Sequence, residues 1–139
     1  MLSGQGGPFG AVVAREGEIL GRGWNQVTTS QDPTAHAEIV ALRAACRHLG
    51  DHRLPGCVLY TSCEPCPMCL AAAYWARIDR FVFAATQDDA AAAGFDDAFL
   101  YREIALPAEA RTLPSRHILR DEANLVFAEW LGNPNRVPY

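Results

Sequence analysis

Hydrophobic and polar positions fall in blocks along this chain, and the blocks predict an order of elements. Residues 9–14 form a compact apolar run. Arg15-Glu16-Gly17-Glu18 interrupts it, and Ile19-Leu20 resumes it. Two apolar runs around a short Gly-containing loop predict a β-hairpin. Gly21, Gly23 and Trp24 close its second strand, Asn25 sits just past it, and the polar stretch 27–32 reads as a loop. Asp32 or Thr34, with Pro33 in the first turn, predicts a helix start. Apolar residues at 39, 42, 46 and 49 continue at helical spacing until Gly50-Asp51. Residues 57–62 predict a strand. Pro67 suits the first position of a second helix running to about residue 77, and 81–85 predict another buried strand. Beyond residue 86 the pattern loosens. An Ala run at 90–93 predicts a short helix, Arg116 to Leu119 a fifth strand, and 121–131 a helix. In that last helix Asp121 is the expected cap, and Leu125, Phe127, Trp130 and Leu131 the apolar contacts.

Hairpin, helix, strand, helix, strand is an α/β order. It predicts a mixed five-stranded sheet with helices on both faces, a three-layer α/β/α arrangement. The chain has 139 residues, which fits one domain with a core over 1–139. The final stretch from Gly132 to Tyr139 is rich in turn residues and reads as a terminus.

Composition narrows the function classes. Half the residues are hydrophobic, a fifth are charged, and the net charge is −4. That balance, with no basic patch, disfavours a nucleic-acid partner. No apolar run reaches the ~20 residues of a membrane span, and residues 1–7 contain no secretory h-region. Five cysteines in such a chain point to a reducing, cytoplasmic setting. Cys46, Cys57 and Cys63 read as packed thiols.

Two short pieces carry the chemistry. Pro33-Thr34-Ala35-His36-Ala37-Glu38 and Pro65-Cys66-Pro67-Met68-Cys69 together spell His-x-Glu, then Pro-Cys-x-x-Cys. That is the signature of zinc deaminases acting on nucleobases. His36, Cys66 and Cys69 offer three ligands, which leaves the fourth tetrahedral position of one zinc ion for water. Glu38 stands two residues from a ligand, where it can move protons. Two other readings of these residues exist. Cys63 as a fourth ligand would give a closed structural site, and a Cys-x-x-Cys alone can be a redox pair; neither uses Glu38. His36 and Glu38, two apart in one helical turn, would point about 200° apart. Both are expected to reach the metal because first-turn side chains tilt toward the N-terminus.

These motifs resemble the cytidine deaminase superfamily. Gly6-Gly7-Pro8-Phe9-Gly10-Ala11-Val12, Tyr60-Thr61-Ser62-Cys63-Glu64 ahead of the cysteines, and Ala93-Gly94-Phe95-Asp96-Asp97 are similar to its short bacterial guanine deaminases. They are somewhat less similar to plant guanosine deaminases. The resemblance implies a cytidine-deaminase-like fold and zinc-dependent conversion of guanine to xanthine and ammonia. It also implies a homodimer, in some members with the C-terminal segment exchanged. It makes Glu38 the proton carrier and Asp97 the contact to the amino-bearing edge and a second shuttle. Asn25 would hydrogen-bond the purine, Phe9 would pack on the ring, Ala37 would touch the substrate, and Tyr139 would close the pocket. The family places a helix before Gly-Gly-Pro-Phe-Gly, whereas five residues precede Gly6 here. Either the true start lies upstream, or one sheet face lacks a cover. Guanosine deamination, tRNA adenosine deamination and a structural zinc-binding interaction domain are the alternatives.

Overall fold

The computed structural model describes residues 4 and 6–138. The chain divides into two compact units, Met1–Arg102 and Glu103–Tyr139.

The first unit is built on a sheet. Strands β1 (Gly10–Arg15) and β2 (Glu18–Trp24) form the expected hairpin. Glu16 and Gly17 both have positive φ, 51° and 85°, the conformation a two-residue primed turn requires. Strand β3 (Val58–Cys63) pairs antiparallel with β1, and β4 (Arg80–Ala85) pairs parallel with β3. The order is β2-β1-β3-β4, so the mixed sheet has four strands among the described residues, not five. Arg116 to Leu119 form no strand. Strand β4 is also not the buried strand expected from its apolar run. It lies at the sheet edge, and Val82 and Phe83 are exposed.

The segment Val27–Ser30 is a short helix, α1, where a loop was expected. The main helix, α2 (Ala37–Leu49), starts later than Asp32-Pro33 predicted. The Asp32 carboxylate instead accepts hydrogen bonds from the Thr34 backbone N–H and hydroxyl, at 2.8 and 2.7 Å. This closes a turn ahead of the helix. Helix α2 lies on the hairpin through small residues. Ala37, Ala41 and Ala45 recur every four positions and are buried, and they meet Gly21 and Gly23 of β2. A Cβ on Gly21 would collide with the Ala41 carbonyl oxygen, and one on Gly23 with that of Ala37. Glycine permits this backbone approach. Val13, Leu20, Leu42, Leu54, Cys57 and Leu59 complete the core.

Helix α3 (Pro67–Trp75) has Pro67 in its first turn, as expected, but ends before residue 77. Its end is fixed by Leu54, whose N–H donates to the Ala76 carbonyl at 2.7 Å, and by a left-handed Arg77, φ 60°. Helix α4 (Gln87–Ala92) begins at a capping box of Thr86 and Asp89. The first unit ends within α5 (Ala98–Ala105), a helix the sequence pattern did not predict.

The second unit holds the end of α5, a 3-10 turn (Ala108–Ala110) and α6 (Arg120–Gly132). Asp121 lies in the first turn of α6 rather than capping it; the cap position is Leu119, with φ 54°. Glu103 accepts two hydrogen bonds from Thr112, at 2.7 and 2.9 Å. The expected apolar contacts of α6 are not buried: Leu125, Phe127, Trp130 and Leu131 are all exposed. A unit this small cannot enclose an apolar face by itself. Among the described residues no helix is long and apolar enough to cross a membrane.

The glycine–helix seam yields a direct expectation. Gly21→Ala and Gly23→Ala should each lower unfolding free energy by about 1–3 kcal/mol, the usual range for overpacking against a fixed backbone. Urea midpoints at unchanged slope are the measurement, and wild-type midpoints would contradict the close approach.

Candidate metal centre and cavity

Two helix starts build the centre. His36 is the residue before α2 and Cys66 the residue before α3, both extended (ψ 155° and 167°). Cys69 and Glu38 lie in the first turns that follow. This removes the difficulty of His36 and Glu38 sharing a helical turn. His36 stands outside the helix and is free of its 100° step, while Glu38 is inside it.

The ligand atoms of His36, Cys66 and Cys69 all lie within 4.8 Å of one another. His36 Nδ1 and Cys66 Sγ are 3.6 Å apart. Zinc bonds of about 2.1 Å to nitrogen and 2.3 Å to sulfur, at a tetrahedral angle, set these atoms about 3.6 Å apart. The donor set and spacing therefore fit zinc. Cys63 is outside the cluster; its thiol donates to the Thr86 carbonyl at 3.5 Å, so the closed four-ligand reading does not match this geometry.

Charge at the centre is uneven. The Cys66 thiol is pulled down to about 4, first by the hydrogen bond from Cys69, then by His36, against the effect of burial. Cys69 moves the opposite way, because its proton is held toward Cys66. Two helix N-termini favour the thiolate at this point. His36 is raised, chiefly by its contact with Cys66. Glu38 is buried, and burial raises its carboxyl above the ordinary range, the direction that suits a proton carrier near neutral pH.

A cavity of about 620 Å³ opens on this centre. His36, Glu38 and Cys66 line one part, and Phe9, Asn25, Phe95 and Asp97 another. The Asn25 N–H donates to the Phe9 carbonyl at 3.1 Å, and Asn25 Oδ1 accepts from the Val27 N–H at 3.3 Å. The first bond holds the backbone, and the second orients the side-chain amide. Phe9 meets Phe95 edge to face, centroids 4.9 Å apart. Burial raises the Asp97 carboxyl, with the Cys66 charge adding to it. Asp96, its neighbour, is taken up as a cap for α5, accepting from the Ala98 N–H at 2.9 Å. Ala37 is buried against β2 and is not among the residues lining the cavity. Tyr139 lies outside the described residues. Sequence reasoning gave no part to Thr28, Glu64 and Ala90, which also line the cavity. Ala90 had a signal, the Ala run, whose small side chains leave room; Thr28 and Glu64 had none.

A fold of this kind with a His-Cys-Cys cluster at two helix starts defines a zinc deaminase. The zinc-binding region of cytidine and deoxycytidylate deaminases matches residues 3–85, and the chain belongs to that family. Among individual proteins, guanine deaminase of Bacillus subtilis (strain 168) is 53% identical over 137 residues, 99% of this chain and 88% of the relative. Its X-ray structure superposes with a TM-score of 0.96, covering 99% of this chain and 88% of that one. Guanine deaminase from Nitrosomonas europaea superposes with a TM-score of 0.66 at 34% identity, over 95% of this chain and 77% of that one. The tRNA-specific adenosine deaminase of Buchnera aphidicola is 36% identical over 127 residues, 91% of this chain and 81% of the relative.

Replacing any one ligand should unload the metal. Cys66→Ser and His36→Ala should each lower zinc content per chain at least about tenfold after dialysis against a mild chelator, since a catalytic site has only three protein ligands. Metal analysis by atomic absorption decides; full retention in either variant would remove that residue from the ligand set.

Proposed function

We propose that this protein catalyses the hydrolytic deamination of guanine to xanthine and ammonia, as a homodimer with one zinc ion per subunit. The observation that carries the reading is one cavity lined by His36 and Cys66 of the His36-Cys66-Cys69 cluster, by buried Glu38 and by Asp97. The extensive identity with a guanine deaminase supports it. So does the acidic balance, net −4, against a polyanionic RNA substrate.

When bound, the zinc supplies Lewis acidity that brings the pKa of water to about 7. The chain's residues do the rest. Glu38, held at the first turn of α2, accepts a proton from the attacking water as oxygen adds to C2 of guanine. It delivers that proton to the ring nitrogen. A second proton leaves the new hydroxyl for the exocyclic amine. The C2–N bond breaks, ammonia departs, and C2 becomes a carbonyl. Guanine's N1–H and amino group are donors, so this edge needs acceptors. Asp97 is the carboxylate offered to it, and as a second shuttle it can serve the departing amine. Asn25 hydrogen-bonds the purine, and Phe9 packs on its ring.

The reading includes the assembly. The exposed apolar residues of α6 call for a second copy as cover, with the C-terminal segment exchanged and Tyr139 of the partner subunit closing the cavity. Residues 1–139 are then one zinc-dependent deaminase domain. A cytoplasmic location fits free thiols at Cys46, Cys57 and Cys63.

Ammonia release from zinc-loaded protein, offered guanine, guanosine, adenine, cytosine and a tRNA separately, tests the reading. Release from guanine with xanthine as co-product is expected; release from guanosine alone, or tRNA alone, would move the substrate. Glu38→Gln should keep zinc and lower kcat by about 10²–10⁴-fold, the typical share of general acid–base catalysis. Loss of zinc instead would make Glu38 structural. Phe127→Asp should shift the sedimentation coefficient from dimer to monomer, and an unchanged dimer would place the interface elsewhere.

A further inference from the structure

We propose that Tyr101 is a positioning residue for the deamination, holding the Asp97 carboxylate in place against the turn that carries the thiolate ligands. The inference rests on the reading of Asp97 as a substrate contact.

The segment between β4 and the middle of α5 supplies one wall of the cavity through Ala90, Phe95 and Asp97. It is pinned at both ends to two consecutive residues. At its start, the Gln87 N–H donates to Glu64 Oε2 at 3.2 Å. Past its end, the Tyr101 hydroxyl donates to the Pro65 carbonyl at 3.2 Å. Pro65 directly precedes Cys66, the ligand that opens α3. Tyr101 also reaches back to Asp97, since its backbone N–H donates to the Asp97 carbonyl at 3.4 Å. One residue therefore bonds both the backbone of Asp97 and the backbone next to a metal ligand.

The arrangement needs such a tie. Gly94 has φ of 89° and gives the segment a joint that few other residues would tolerate. Asp97 follows three residues later, at the start of a helix of only eight residues. The Phe9–Phe95 contact steadies the middle of the segment but sits two residues before the carboxylate. The phenol clamps the far side, so that Asp97 is held between the ring contact and the Pro65 bond. A carboxylate placed to within a fraction of an ångström binds and shuttles better than one free to swing.

The test is a double-mutant cycle on zinc-loaded full-length protein in a Glu38→Gln background, in which turnover is slowed. Affinity for 8-azaguanine is measured by calorimetry for the parent, Tyr101→Phe, Asp97→Asn and the double variant, with zinc content measured for each. Tyr101→Phe should keep its zinc and weaken binding about 3- to 10-fold, the scale of one hydrogen bond. In the Asp97→Asn background the same change should weaken binding less than about 2-fold, because residues that act through each other are not additive. Equal losses in both backgrounds, no loss in either, or loss of zinc from Tyr101→Phe would each overturn the positioning role. If Asp97→Asn binds as tightly as the parent, the Asp97 reading falls and this proposal with it. If Asp97→Asn is weakened and Tyr101→Phe is not, only the proposal falls.

Discussion

Everything at the centre depends on how closely α2 can approach β2. Two glycines on the strand and three alanines on the helix bring backbone against backbone. Packing of this kind leaves little freedom to slide, because steric repulsion rises within tenths of an ångström. The helix start is therefore placed by the sheet, not by the loop before it. His36 and Glu38 inherit that placement. Larger residues at 21 or 23 would lift the helix and carry both side chains away from Cys66 and Cys69, which are set by a different helix.

The two helix starts solve an electrostatic problem together. Zinc with two thiolates and a neutral imidazole carries no net charge, yet the thiols must first lose their protons. The N-terminal ends of α2 and α3 favour negative charge at the point where Cys66 and Cys69 sit. In the same place Glu38 is buried, which works against its own ionisation. One environment thus lowers a thiol and raises a carboxyl. The helix ends act on Cys66 at the cap itself, whereas Glu38 is taken out of water inside the first turn.

The grouping of His36, Cys66 and Cys69 with Glu38 close by was legible in the sequence because their spacing is a local signature that needs no knowledge of the fold. The hairpin, β3 and the Pro67 start were legible for the same reason. Other features were decided by tertiary context. Asp32 and Pro33 are good helix starters, but Thr34 captured the carboxylate in a turn, and the helix began only after an extended His36. The apolar run 81–85 reads as a buried strand, yet nothing in it says that β4 would be the sheet edge. Arg116 to Leu119 has strand-like composition and no pairing partner among the described residues. Phe95 and Tyr101 matter through contacts 86 and 36 residues away in sequence, with Phe9 and Pro65, and no window of sequence contains those pairs.

Helix α6 is the part of the chain on which the proposed assembly rests. Leu125, Val126, Phe127, Trp130 and Leu131 are exposed. At about 100° per residue they reach more than halfway round the helix. An amphipathic helix that docks on one surface shows a narrower stripe. Apolar coverage this wide calls for enclosure on two sides, which a shallow groove on one neighbour does not give. The exchanged segment of the proposed dimer would give it, because the helix would then pack into a seam bounded by both copies. That arrangement would cover a helix with no buried residue of its own. In the proposed dimer the folding of this segment would be coupled to association.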